Sequence, residues 1–152
     1  MKIRPSVAND IPSLQKIADS TGLFPPDLLP EMMGGFLSEG DGNSLWLTCE
    51  ENGEAIAFCF ASAETFAEGT WNMLALAVLP EKQGNGVGRA VVATLERLLQ
   101  SGGNRVLIVD TSGTESFSGT RRFYLRCGYT QEARIRDFWG PGDDKIVFWK
   151  AL

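Results

Sequence analysis

The chain has 152 residues, 43% of them hydrophobic and 22% charged, and its formal net charge is −5. That length suits a single domain over 1–152 whose core buries roughly 70% of the unfolded surface, so neither a disulfide nor a metal is needed as a staple. The acidic balance excludes a sequence-wide grip on a phosphate backbone, so no nucleic-acid partner is expected and any anionic ligand must be held by local geometry.

The start, Met1-Lys2-Ile3-Arg4-Pro5, is followed by no apolar run, so no signal peptide is expected. No stretch approaches the ~20 apolar residues of a membrane span, so no membrane partner is expected. Cys49, Cys59 and Cys127 lack CxxC spacing and read as reduced, structural thiols of a cytoplasmic protein. The absence of histidine removes His-based triads and His metal sites, and no metal is expected. Proton transfer then falls to Tyr, Asp or Glu.

Met1 to Ser6 reads as a short first strand. Asn9-Asp10-Ile11-Pro12 is a helix start, with a capping residue followed by Pro in the first turn. Ile11, Leu14, Ile17 and Ala18 keep helical spacing and Gly22 ends the run. A poorer helix is predicted over Asp27 to Glu39, weakened by Pro30, Gly34 and Gly35. Asn43 to Glu50 and Ala55 to Ala63 form a hairpin about Asn52-Gly53. Trp71 to Leu79 is almost continuously apolar, which predicts a central strand covered on both faces; Pro80 stops it. Gly86 to Ser101 is the best helix, with Val87, Ala90, Val91, Leu95, Leu98 and Leu99 as its apolar stripe. Asn104 to Asp110 is a buried strand, Thr111 to Phe117 a polar loop and Ser118 to Cys127 a short helix. Tyr129 to Trp139 and Lys145 to Lys150 are strands joined by the turn 140–144. The order predicts an α/β fold: a mixed central sheet with helices on both faces.

The strongest chemical signal is the segment Val78-Leu79-Pro80-Glu81-Lys82-Gln83-Gly84-Asn85-Gly86-Val87-Gly88-Arg89, between the buried strand and the long helix. Glycines at alternate positions strip side chains from a helix N-terminus, where free N–H groups and the helix dipole attract an anion. A P-loop would need Gly-Lys-Ser/Thr, but Arg89-Ala90 follows Gly88; a GxGxxG fingerprint would need its third glycine at Arg89 or Val91.

Gln83-x-x-Gly86-x-Gly88, after a strand ending Val78-x-Pro80, resembles the acetyl-CoA motif of the GCN5-related N-acetyltransferase (GNAT) superfamily. Phe123-Tyr124-Leu125-Arg126-Cys127-Gly128-Tyr129 resembles that family's second motif. The resemblance follows the element order of the whole chain and is motif-specific from about Trp71 to Tyr129. It implies a mostly antiparallel central sheet and acetyl-CoA as cosubstrate. The pyrophosphate would lie on the amides of Gln83, Gly84, Asn85, Gly86, Val87, Gly88 and Arg89. The pantetheine would lie along Leu76, Ala77 and Val78, where the strands splay.

The resemblance gives Tyr124 the role of acid toward the leaving thiolate; Tyr129 reads as core. Transfer also requires a neutral amine, whose pKa is otherwise about 10.4, and a donor for the oxyanion, such as the amide of Ala77 or Val78. Where many family members carry a catalytic Glu, this chain has Asn72, which cannot accept a proton but can hold a water or the substrate. Glu64 is the nearest replacement in sequence, with Asp137, Asp143 and Asp144 as others. Phe117 stands where the family often has an Asn that contacts pantetheine, and hydroxyls of Thr111 to Thr114 are a possible substitute. An acidic rim with Phe24, Trp46, Phe138 and Trp139 would suit a cationic, partly apolar amine. The expected activity is acetyl transfer from acetyl-CoA to a primary amine of a small molecule or peptide, by a monomer or homodimer. The alternatives are a non-catalytic acyl-CoA-binding regulatory module and a phosphate- or nucleotide-binding protein using the same loop.

Overall fold

Seven strands form one sheet in the order β1-β2-β3-β4-β5-β7-β6 in the computed structural model, which describes residues 1–38, 40 and 42–152. The strands are β1 (Lys2–Pro5), β2 (Ser44–Glu51), β3 (Glu54–Ala63), β4 (Thr70–Val78), β5 (Val106–Ser112), β6 (Thr130–Gly140) and β7 (Asp143–Ala151). Every neighbouring pair is antiparallel except β4 with β5, so the mixed, mostly antiparallel sheet is as expected. The hairpin turn is the predicted one: Asn52 and Gly53 adopt φ of 54° and 81°, as a tight Asn-Gly turn requires.

Helices α1 (Ile11–Thr21) and α2 (Leu29–Ser38) cover one face; α3 (Val87–Ser101) and α4 (Ser118–Arg126) cover the other. Glu39, the last residue of the expected second helix, lies outside the described residues. Gly22 ends α1 in the left-handed conformation, φ 65°. Asp10 does more than begin that helix: its carboxylate takes the Val7 amide at 2.8 Å and two nitrogens of Arg4 at 2.8 and 2.9 Å, tying β1 to α1.

On the α1–α2 face, Leu14, Ile17, Leu29 and Met33 pack on Trp46, Phe58, Ala75 and Ala77. On the other face, α3 buries Val87, Val91, Val92, Leu95 and Leu99. The expected stripe is corrected at one point: Leu98 is 43% exposed, and Val92 is buried in its place. Fully buried Leu95 supplies about 2–3 kcal/mol by burial, and truncation to Ala would cost about 2–5 kcal/mol.

β4 is the middle strand, but it is not buried throughout, because Leu74 is 54% exposed. The register with β3 shifts where Ala61 pairs with Met73 and Phe60 with Ala75, leaving Leu74 without a partner as a bulge. The bulge reverses the alternation. Before it, Trp71 and Met73 face α3; after it, Leu76 and Val78 do, while Ala75 and Ala77 turn to α1. Cys49 and Cys59 are buried and Cys127 is half-buried, all as free thiols. Burial pushes the Cys59 thiol up to about 12, so it stays protonated and inert. Among the described residues, no helix is long and apolar enough to cross a membrane.

Candidate active site

β4 and β5 pair at Thr70↔Val106, Trp71↔Leu107 and Asn72↔Ile108 and then part, although β4 runs on to Val78 and β5 to Ser112. The bulge at Leu74 lies just past the last rung and bends β4 there. Beyond this fork, the Leu79 amide donates to Ile56 of β3 at 2.9 Å. The two-residue alternation of an antiparallel ladder then turns the Ala77 amide toward β3 and leaves the peptide groups of Leu76 and Val78 facing the gap. The Val78 carbonyl accepts a 3.0 Å bond from Gln83 Nε2.

Two chambers open on opposite faces of the sheet and meet in this gap. The first, of about 600 Å³, lies between the start of α3 and α4. Gly84 and Gly86 adopt φ of 79° and 81°, a conformation that glycine reaches without steric cost. Gly86 caps α3 without a side chain. Among the described residues, the amides of Gly84, Asn85 and Gly86 donate to no backbone acceptor. The first-turn amides of a helix also lack intrahelical partners. Arg89 and Arg126 line the chamber, and neither forms an ion pair with a described residue. Such a concentration of N–H donors and positive charge fits phosphate groups. Gly88 differs from the other two glycines: it is helical, and a Cβ there would lie 3.3 Å from the Phe123 ring. Asn85, expected among the cofactor contacts, is exposed and does not line the chamber.

The second chamber, of about 570 Å³, lies on the α1–α2 face, walled by Leu23, Leu74, Phe117 and Trp139, with Asp110 and Asp143 among its lining and neither Lys nor Arg. Ala77 lines this chamber only. Trp139 arrives by an irregularity in β6: pairing with β7 jumps from Ile135↔Lys145 to Gly140↔Asp143, so 136–139 stand against Asp144 alone. Asp137 takes φ 55° within this bulge, and Trp139 Nε1 donates to the Thr111 carbonyl at 3.2 Å. The expected aromatic rim is therefore corrected. Trp46 is fully buried, stacked on Phe58 and Phe60, and Phe24 packs in the α1–α2 core; of the four, Trp139 lines the chamber, and exposed Phe138 stands edge-on against it. The loop hydroxyls are engaged, since Ser112 Oγ bonds Thr114 Oγ1 at 2.8 Å and Asp143 Oδ1 at 2.5 Å.

Leu76, Val78, Gln83, Thr120 and Tyr124 line both chambers. Tyr124 is 5% exposed, and among the described residues its hydroxyl makes no hydrogen bond. Burial, and secondarily Cys127 and Cys59, push the phenol well above its ordinary range, so its hydroxyl stays protonated. Tyr129 is core, as expected: it is buried, and its hydroxyl donates to Glu96 at 2.8 Å.

Asn72 and Glu64 do come together. Asn72 Nδ2 donates to Glu64 Oε1 at 3.2 Å and to Asp110 Oδ2, also at 3.2 Å. Lys145 Nζ stands 3.4 Å from Asp110 Oδ2 and 4.3 Å from the centre of the Phe138 ring. Of the two carboxylates, Asp110 lines the second chamber and Glu64 does not. Asp144 is taken up by structure: the Asp137 amide, and next Arg134, hold its carboxyl below the usual carboxylate range. Sequence reasoning missed Asp110, which belongs to no motif and follows the apolar run 106–109 within β5.

The acetyltransferase (GNAT) family profile matches residues 13–129, and the chain belongs to that family. Among solved structures, a GNAT-family protein from Desulfovibrio desulfuricans superposes with a TM-score of 0.92 at 29% identity, covering 99% of this chain and 98% of that one. The ribosomal-protein-S18-alanine N-acetyltransferase from Escherichia coli gives 0.80 at 19% identity, covering 99% and 93%. An aminoglycoside 6'-N-acetyltransferase complexed with coenzyme A gives 0.82 at 17% identity, covering 99% and 97%. No curated protein matches the chain.

Proposed function

We propose that the protein transfers an acetyl group from acetyl-CoA to a primary amine of a small molecule or peptide, by direct attack of the amine on the thioester. The observation that carries this reading is the meeting of two unlike chambers at Tyr124. One has N–H donors and arginines suited to the phosphates of a CoA carrier, and a protein of like fold, the aminoglycoside 6'-N-acetyltransferase, is complexed with coenzyme A. The other has carboxylates, an indole and no lining cation, which suits a cationic, partly apolar amine.

In this reading the pyrophosphate rests on the loop from Gln83 to Arg89, and the pantetheine runs past the peptide groups of Leu76 and Val78. When bound, acetyl-CoA supplies the activated acyl group. The Val78 or Leu76 amide stabilises charge on the carbonyl oxygen. Tyr124 gives its proton to the departing sulfur. The amine is held in the second chamber beside Asp110, whose carboxylate is bonded through Asn72 to Glu64, and its proton leaves by a carboxylate there.

The test is thiol release from acetyl-CoA in the presence of amines, amino acids, peptides and aminoglycosides. Release that depends on an added amine, with the N-acetylated product found by mass spectrometry, is the expected result. Tight acetyl-CoA binding without release from any amine would leave an acyl-CoA-binding regulatory module instead.

A further inference from the structure

Which group takes the proton from the amine can be argued from the polar atoms that the fold leaves over. Among the described residues, three buried side-chain polar atoms have no partner: Trp46 Nε1, Asn72 Oδ1 and Asp110 Oδ1. The last two belong to side chains bonded to each other, at the rung where β4 and β5 part. Buried polar groups are nearly always satisfied, so two orphan acceptors on side chains bonded to each other mark a place that takes a donor. The Asn72 amide cannot be turned to remove its orphan, because its oxygen would then face the carboxylates of Glu64 and Asp110.

We infer that Asp110 is the catalytic residue that receives the acceptor's ammonium group and takes its proton, with Asn72 as its positioning residue. This rests on the acetyl-transfer reading above. Asp110 Oδ2 is occupied by Asn72 Nδ2 and Lys145, which fix the carboxylate and leave Oδ1 for the substrate. A protonated primary amine brings three N–H donors to the two free oxygens, one of them on an anion. Glu64 reaches this place only through Asn72, whose second N–H it holds, and it does not line the chamber. Glu64 therefore orients Asn72.

The proton balance closes. The ammonium gives one proton to Asp110, from which it passes to solvent, and the freed lone pair forms the N–C bond. The C–S bond breaks with its electron pair on sulfur, and Tyr124 protonates that sulfur. The second proton lost by nitrogen returns to Tyr124 directly or through solvent. The products are the amide, the free thiol and one proton.

The charged or titratable groups facing Asp110 are Lys145 on β7, Glu64 through Asn72, Asp143 in the same chamber and Tyr124 across the gap. Thiol release from acetyl-CoA is followed with 2-phenylethylamine, 1,4-diaminobutane, kanamycin and an alanyl peptide as probes, and acetyl-CoA binding is measured separately by calorimetry. Asp110→Asn is expected to lower kcat by about 100-fold near neutral pH and to leave acetyl-CoA affinity within about twofold. The loss should shrink as pH rises toward the amine's own pKa of about 10, a change that a merely structural role would not produce. Glu64→Gln should cost less than about fivefold. Added formate should restore part of the rate to Asp110→Ala, and this arm decides the matter if Asp110→Asn fails to bind acetyl-CoA. Asp110→Asn within about threefold of wild type, Glu64→Gln as damaging as Asp110→Asn, or no recovery with formate would each overturn the assignment. If the unaltered protein binds acetyl-CoA but releases thiol with none of the four probes, the acetyl-transfer reading fails, and this assignment with it.

Discussion

Gly88 lies against the ring of Phe123, so close that a Cβ on the glycine would stand 3.3 Å from two ring carbons. The contact sets the distance between α3 and α4, and the first chamber lies between them. Gly88→Ala should displace one helix start. The cost of overpacking is about 1–3 kcal/mol, partly offset by a gain of about 1 kcal/mol in helix propensity. Acetyl-CoA affinity should fall about tenfold, and Phe123→Leu in the same chain should restore part of it. Calorimetry on the single and double variants checks this; equal affinity in Gly88→Ala and wild type would mean that the helix spacing does not control the chamber.

Gly86 stands on different physics. Its φ of 81° is left-handed and nothing lies within 4 Å of an added Cβ, so a substitution meets conformational strain and not a clash. Gly86→Val should weaken acetyl-CoA by at least about 1.4 kcal/mol, or tenfold, as the amides turn away from the phosphates. The fold should survive. Unchanged affinity in a folded variant would remove the phosphates from this loop.

Tyr124→Phe keeps the ring among Phe123, Tyr129 and Phe148 and removes only the hydroxyl. If that hydroxyl supplies the proton to sulfur, kcat should drop about 100-fold while the KM for acetyl-CoA changes little. Turnover within about twofold of wild type would leave Tyr124 as a core aromatic.

Asp10 links stability to pH. The hydrogen bond from Arg4, followed by those from Val7 and Thr48, holds its carboxyl below its ordinary value against the opposing effect of burial. A carboxyl lowered on folding stabilises the protein above its unfolded pKa of about 3.9, and that stabilisation is lost as pH falls through the lower folded value. Asp10→Asn should cost about 1–3 kcal/mol at neutral pH. Urea midpoints of the two proteins should converge in acid; a gap that stays constant down to pH ~2 would contradict the linkage.

Much of the site could be read along the chain because its signals are local. The run of glycines at Gly84, Gly86 and Gly88 follows a strand and opens a helix, and backbone conformation at such a turn depends on neighbours in sequence. Helix α3 was readable from its period, but Leu98 was misplaced, because which side residue of the stripe turns outward depends on the curvature of the sheet beneath it. The exposure of Leu74 is hidden in the apolar run for a related reason. A bulge is set by pairing with β3, and no pattern within 70–78 announces it.

The sequence by itself determined the family and the order of elements and singled out the glycine loop and Tyr124 as candidates, since each depends on residue type at short spacing. It also put a side-chain amide at Asn72 and so raised the question of the proton acceptor. Only the tertiary structure could bring that amide, the carboxylates of Glu64 and Asp110 and the ammonium of Lys145 together, from four different places in the chain. Strand pairing decides this, because the fork between β4 and β5 exposes Asp110 to a chamber while Glu64 stays behind Asn72. An aspartate after a run of apolar residues carries no sign of this in its neighbours; its surroundings come from residues far along the chain that share its face of the sheet.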